Sequence, residues 1–332
     1  MRRTGIFVLA VLAVLAVLAV PSGTVLADNG PHGGYTATNT PDGCAGCHRA
    51  HTGSSDMLLV AGSTYALCTT CHGNGGTGAN TNVLDGVYLA RRSPGPSPLE
   101  GVVDAGLLAG GFQSTVMNTD WGTSPPASRT TTSSHTVDGT AGTVWGFGPI
   151  SGSPYPGLEG VQMDCGNCHN PHGNSGSAGQ ATYRILRSKP LGVGSLGTSA
   201  DVREQARKTY TIAYPYDGWY FGQSYDGYGD ELASWCAQCH TRYLAGGGAA
   251  ETDSGDALFT YRHSSSSDAL NCLTCHVAHG SSAQMSGHAD QTAVSPGVGV
   301  TTGTDSALLR MDNRGVCAQC HVSGDGTISA TP

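Results

Sequence analysis

Lysine is almost absent from this 332-residue chain: Lys189 and Lys208 are the only two, so nearly all of the 16 basic groups are arginine. Charge of either sign is scarce at 12%, and the balance is −8, or −10 once Arg2 and Arg3 are set aside. A chain with no basic surface cannot follow a phosphate backbone, so nucleic acid is excluded as a partner. Large apolar side chains are also few, with 5 Phe and 4 Trp against 50 Gly. That composition cannot build a side-chain core for a protein this long, so something other than side chains must fill the interior. Amphipathic periods are confined to short stretches such as Ala181 to Leu186 and Asp201 to Lys208. No phosphate-binding loop, nucleophile elbow or paired-carboxylate signal is present.

The one long apolar run, Ile6 to Val20, follows Arg2 and Arg3 and ends at Pro21 and Gly23 before Val25, Leu26 and Ala27. Charge, apolar stretch and small-residue site in that order predict a secretory signal peptide over residues 1–27. Beyond it no run approaches the roughly 20 apolar residues that a membrane helix needs, so no transmembrane segment is expected after signal removal. Export places the protein outside the cell or at its surface, or otherwise in the periplasm.

What the chain does have is cysteine in a fixed frame. All 12 cysteines fall into six CxxCH motifs: Cys44/Cys47/His48, Cys68/Cys71/His72, Cys165/Cys168/His169, Cys236/Cys239/His240, Cys272/Cys275/His276 and Cys317/Cys320/His321. Two cysteines one helical turn apart can each add to a vinyl group of one porphyrin, and the adjacent imidazole then lies over the iron. Zinc ribbons and disulfide frameworks also use paired cysteines, but neither requires histidine next to every pair. A thioredoxin-like motif would need a strand and helix around a single CxxC. The expected cofactors are therefore six covalently bound haem c, with the six motif histidines as proximal iron ligands.

Seven histidines remain: His32, His51, His135, His172, His263, His279 and His288. His51, His172 and His279 each lie three residues after a motif histidine. Residues three apart on a helical turn point the same way, so the two imidazoles of each CxxCHxxH must serve different haems. The chain then reads as three copies of one pattern: a histidine, CxxCHxxH, an apolar pair (Leu58/Leu59, Ile185/Leu186, Leu308/Leu309) and a second CxxCH. The expected division is a first dihaem repeat over 28–84, a flexible linker over 85–134, a second repeat with an aromatic-rich insertion over 135–245, and a third repeat over 246–332. The distal candidates are His32, His51, His135, His172, His263 and His279, with His288 left over and the assignment of each to an iron open. Met57, Met117, Met163, Met285 and Met311 have no repeat-related spacing and read as packing residues. Iron held by two imidazoles has no open position, which favours one-electron transfer over catalysis. The expectation is thus an electron carrier rather than an enzyme. The competing class, a multihaem reductase of small oxyanions, would need one open iron.

The combination CAGCHRAH, CGNCHNPHG and CLTCHVAHG, each followed by another CxxCH, resembles the doubled-CxxCH multihaem cytochromes. Phe259 to Ser282, with LLRMDNRGVCAQCH after it, resembles in particular the outer-surface cytochromes of metal-reducing bacteria that polymerise into extracellular nanowires. The stretches 73–134 and 187–234 have no counterpart in it. The resemblance implies a mostly irregular coil with short helices and few strands, wrapped around a continuous chain of six c-type haems. It also implies partners that are other redox proteins or external electron acceptors, and a homopolymer with one intersubunit haem ligand. His32, the fifth residue after Ala27, is placed to reach outward as that ligand; an intrachain role for it, with His288 as bystander, stands beside this. Filament and soluble shuttle both remain open.

Overall fold

The computed structural model describes residues 32, 44–75, 79–89, 103–104, 106–117, 127–147, 157–173, 183–190, 228–243, 272–286 and 306–319. Among them are four short α-helices: α1 (Thr64–His72), α2 (Cys165–Cys168), α3 (Tyr228–Cys236) and α4 (Cys272–Cys275). Strands β1 (Thr81–Asn82) and β2 (Val87–Tyr88) pair with each other, as do β3 (Ser114–Met117) and β4 (Ala127–Thr130). Likewise β5 (Ser133–Ser134) pairs with β8 (Gly280–Ser281), and β6 (Asp138–Trp145) with β7 (Gly157–Asp164). All four sheets are antiparallel and two-stranded. Short helices in irregular chain match the expectation, while the strands are more numerous than "few" suggests.

The threefold pattern has a backbone counterpart. His48, His169 and His276 each form an isolated antiparallel bridge with the second member of the apolar pair, Leu59, Leu186 and Leu309. On one side, Arg49, Asn170 and Val277 N–H donate to the carbonyls of Leu58, Ile185 and Leu308 at 2.8, 2.8 and 2.9 Å. On the other, Val60, Arg187 and Arg310 N–H donate to Cys47, Cys168 and Cys275 at 3.0, 2.8 and 3.0 Å. Just before each bridge the chain takes two consecutive left-handed residues, Met57–Leu58 (φ 60°, 58°), Arg184–Ile185 (50°, 54°) and Ala307–Leu308 (48°, 62°). Left-handed backbone costs roughly 1–2 kcal/mol per non-glycine residue. The three arches persist because the bridge bonds on either side hold them.

The second CxxCH of each copy closes a longer helix. α1 contains Cys68 and Cys71, α3 ends on Cys236, and a 3₁₀ helix, Asp312–Gln319, contains Cys317. Ser63 caps α1 by accepting from Ala66 N–H at 3.1 Å.

The stretch expected as a flexible linker, 85–134, is in part firmly held. β3 and β4 pair over four residues each, and β5 joins β8 in the third repeat. Gly110 bridges Gly280 in parallel at φ +73°, where an added Cβ would come within 1.9 Å of the Gly280 carbonyl oxygen. Thr115, fully buried, donates to that same oxygen at 3.0 Å, and Thr132 and Ser133 both bond the Ser306 hydroxyl at 3.0 and 2.6 Å. Arg129 pairs with Asp312 at 3.0 Å. Serine, threonine and glycine, which read as loop composition, here satisfy carbonyls at close backbone approach.

The largest fully buried side chains among the described residues are Thr115, Thr274, Ser281, Ser282 and Ser306. The β6–β7 hairpin carries an apolar cluster, Val144 and Val161, flanked by Phe147, Leu158, Met163 and Cys239. Met285 and Met311 are buried and Met163 packs on that cluster, as expected of packing residues. Met57 departs from that expectation: its side chain is 71% exposed, because the left-handed arch turns it outward. No helix among the described residues is long and apolar enough to cross a membrane.

Candidate functional site

Each described CxxC is one tight helical turn. The N–H of His48, His169, His240 and His276 donates back to the first cysteine's carbonyl at 2.9, 2.9, 3.1 and 2.9 Å. In the third motif the turn follows directly from β7, and Asp164 caps it by accepting from Gly166 N–H at 2.7 Å. Asn167 returns a bond from Asp164 N–H at 2.6 Å, closing a capping box. The turn ends there: His169 has φ −106° and ψ 146°, extended rather than helical. The premise that the two histidines of CxxCHxxH share a helical face therefore fails, at this motif by direct measurement. Their separate destinations come instead from the extended chain and its bridge to the apolar pair.

Those destinations are visible in four imidazole pairs. His48 and His172 lie with ring centroids 6.1 Å apart, His32 and His72 5.9 Å, His135 and His240 6.2 Å, and His169 and His279 6.3 Å. Two metal–nitrogen bonds of about 2 Å plus the half-width of each ring come to about 6 Å between centroids. Each pair joins one motif histidine with one of the spare histidines, at the spacing a single iron would require. His32, for which the sequence left an outward-reaching and an intrachain role open, faces His72 of its own chain. His51 is exposed, and no described imidazole stands opposite it.

Most of the second ring nitrogens have acceptors as well, while the buried His279 Nδ1 has no hydrogen-bond partner among the described residues. His48, His169 and His276 place Nδ1 2.8, 2.8 and 3.0 Å from the carbonyls of Met57, Arg184 and Ala307, the first residue of each left-handed arch. His240 uses the Trp145 carbonyl at the end of β6, 2.7 Å away, and His72 the Thr81 hydroxyl at 3.0 Å. Among the spare histidines, His32 bonds the Pro171 carbonyl at 3.0 Å and His135 that of Ala278 at 2.6 Å. A bond from Nδ1–H fixes the ring's tautomer and leaves Nε2 free to take a metal. Burial pushes the imidazoles toward their neutral, ligating form. His240 is lowered to about 4 by burial and then by the neighbouring His135, and His279 to about 3 by burial and then by the neighbouring His169 and His135. His169, His276, His135 and His72 are lowered chiefly by burial as well. Phe112 stacks on His279 with centroids 4.7 Å apart.

The thiols trace a line in sequence order. Cys47 is influenced by Cys68 and Cys71, Cys68 shares a hydrogen bond with Cys165, Cys168 neighbours Cys239, and Cys236 shares a hydrogen bond with Cys272. Adjacent motifs are therefore neighbours in space from the first to the fifth. None of the ten cysteines from Cys44 to Cys275 is in a disulfide. Burial first, then the neighbouring Cys239 and Asp164, pushes the Cys168 thiol up to about 12. Cys236 is raised as well, by its hydrogen bond with Cys272 and by burial. Such thiols stay protonated rather than reactive.

Residues 37–77 match the doubled CXXCH motif. That motif marks a c-type cytochrome haem-binding fold, and with it an electron-transfer function in general. No curated protein and no solved structure matches the chain. The residues present fit the group: paired thiols on one helical turn, an imidazole behind each pair, and a second imidazole at iron-spanning distance in four cases. Covalent haem c would be held by Cys44 and Cys47, Cys68 and Cys71, Cys165 and Cys168, Cys236 and Cys239, and Cys272 and Cys275. When bound, it supplies reversible one-electron chemistry at its iron. The chain's own residues hold the buried ligands neutral and orient them.

Cys320, His321, His263, His288, the expected signal peptide and the tyrosines from Tyr210 to Tyr225 lie outside the described residues, as does the side chain of Cys317. Sequence reasoning missed the acceptors of the Nδ1 bonds. The apolar pair flagged the position of three, since Met57, Arg184 and Ala307 each precede it. Backbone carbonyls carry no residue signature, so Trp145, Pro171 and Ala278 had none.

Proposed function

We propose that the chain is a hexahaem conductor, passing single electrons along closely packed bis-histidine haems to metal oxides or other acceptors outside the cell, as one subunit of a head-to-tail homopolymer. The supporting observation is a register that occurs twice within the chain. The second histidine of the second copy's CxxCHxxH, His172, faces the first proximal histidine of the first copy, His48; His279 of the third copy faces His169 of the second in the same way. The leading histidines follow a companion rule. His32 faces His72 and bonds the Pro171 carbonyl one copy ahead, and His135 faces His240 and bonds the Ala278 carbonyl one copy ahead.

Carried one step further, the same register leaves His51 with no earlier copy to serve within its own chain. Its counterpart is His276 of the third copy in a neighbouring subunit, and His263 then serves His321. The six proximal and six distal histidines are all used, and His288 is the remainder. The intersubunit role passes from His32 to His51, which is exposed. A closed head-to-tail contact would make a ring and an open one a filament.

Electron microscopy of secreted protein, with the ferric spin state read by electron paramagnetic resonance, tests this. The wild type forms filaments with all haems low-spin. His51→Ala yields discrete particles with one high-spin haem, whereas His32→Ala gains one high-spin haem and still assembles. Filaments that survive His51→Ala would remove His51 from the intersubunit role, whereas discrete wild-type particles with six low-spin haems would point to the soluble periplasmic shuttle instead. A high-spin haem in the resting wild type would point to an oxyanion reductase.

A further inference from the structure

Among the described proximal histidines, His48, His169, His240 and His276 give Nδ1 a backbone carbonyl, from Met57, Arg184, Trp145 and Ala307. His72 adds a side chain: its Nδ1 lies 3.0 Å from the hydroxyl of Thr81, whose backbone also acts on the same ring. A carbonyl is supplied by any residue, but this oxygen exists only because position 81 is threonine. We propose that Thr81 is a positioning residue for the haem held by Cys68 and Cys71, fixing the tautomer and orientation of His72 and thereby setting that haem's reduction potential apart from its neighbours'.

The proton accounting gives the direction of the bond. A His72 that ligates through Nε2 must carry its remaining proton on Nδ1, so the Thr81 oxygen accepts and its own hydrogen points elsewhere. An acceptor on the far side of a ligating imidazole raises its basicity, which favours the oxidised metal and lowers the potential.

The surroundings hold Thr81 in place for this. It pairs with Tyr88 across β1 and β2, and two residues on, Val83 N–H donates to the His72 carbonyl at 2.7 Å. Asn82, 5% exposed, pins the turn between the strands. It donates to Asn74 at 2.7 Å and Asp85 at 2.8 Å, and accepts from the N–H of Leu84 and Asp85 at 3.0 and 3.1 Å. Asp85 in turn accepts from Ser114 at 3.1 Å, tying the turn to β3. The same turn therefore links the His72 ligand to the sheet beyond it.

The inference rests on a haem at Cys68 and Cys71 but not on polymerisation. Redox titration of the loaded protein, with haem content measured first, separates the two. Thr81→Val and Thr81→Ala remove the acceptor, and each is expected to move one midpoint potential upward while the others stay; Thr81→Ser restores the wild-type value. If both acceptor-free variants titrate like the wild type at full haem content, or if Thr81→Ser shifts as far as they do, the assignment of Thr81 is overturned. Wild-type protein with no haem on Cys68 and Cys71 would instead overturn the functional reading beneath it.

Discussion

At the scale of single residues, the imidazoles are held ready by two effects that act in the same sense. Nδ1 bonds choose the tautomer, and burial disfavours the protonated ring, so the lone pair on the other nitrogen is available at neutral pH. The stability consequence follows from comparing proton uptake. In the folded chain His240 takes its proton only at about 4 and His279 at about 3, whereas an unfolded imidazole does so near 6.5. Between those values the unfolded state binds more protons, so stability rises with pH across the window and is lost as pH falls from about 6.5 toward 4 and 3. Acid titration of the loaded protein, followed by its low-spin absorption bands, is expected to show low-spin character lost only once the pH falls below about 4, with recovery on return to neutrality. Low-spin bands that strengthened on acidification would contradict this sign.

Among the structural elements, the position of His279 depends on a strand contact made far away in sequence. Its N–H donates to the Ala109 carbonyl at 2.7 Å, and the next residues, Gly110 and Gly280, cross with no room for a side chain. Gly110→Ala puts a Cβ within 1.9 Å of the Gly280 oxygen at a backbone φ of +73°. The cost is about 3 kcal/mol, from overpacking and left-handed strain together. A lowered denaturation midpoint, together with partial high-spin character at the Cys165–Cys168 haem, is the expected result; an unchanged midpoint would mean the crossing yields without strain. This contact also marks where sequence stops being informative. The CxxCH turns of the described residues and the three apolar pairs were legible because each is a local device with a fixed spacing. The partners of His172 and His279 were not, because they are chosen by chain crossings between copies. The stretch 85–134 read as linker because Ser, Thr and Gly are loop residues by composition. Here Thr115 and Thr132 satisfy carbonyls of the third repeat and Ser133 bonds the Ser306 hydroxyl, a use that periodicity cannot reveal. Met57 was misjudged for a related reason: apolar character said core, and the left-handed arch said surface.

For the whole molecule, stability must come from somewhere other than its side chains. Fifty glycines lose more conformational freedom on ordering than any other residue type would. Among the described residues the largest fully buried side chains are hydroxyls, Thr115, Thr274, Ser281, Ser282 and Ser306, whose hydrogen bonds largely replace bonds to water. The apolar cluster at β6–β7 is small, and the four sheets have only two strands each, which alone are marginal in water. What joins the elements is the line of motifs: Cys68 beside Cys165 and Cys236 beside Cys272, each contact linking segments distant in sequence. Attachment of an apolar ring at each motif would supply both the missing bulk and the crosslink, with an imidazole from another copy closing the far side. The polypeptide made without haem attachment is accordingly expected to lack this fold. Far-ultraviolet circular dichroism would show mainly irregular chain, and limited proteolysis would cut within the repeats as readily as between them, while the loaded protein resists. A protease-resistant haem-free chain with the same strand signal would show instead that the hydroxyl-to-carbonyl contacts between β3, β5 and β8 suffice on their own.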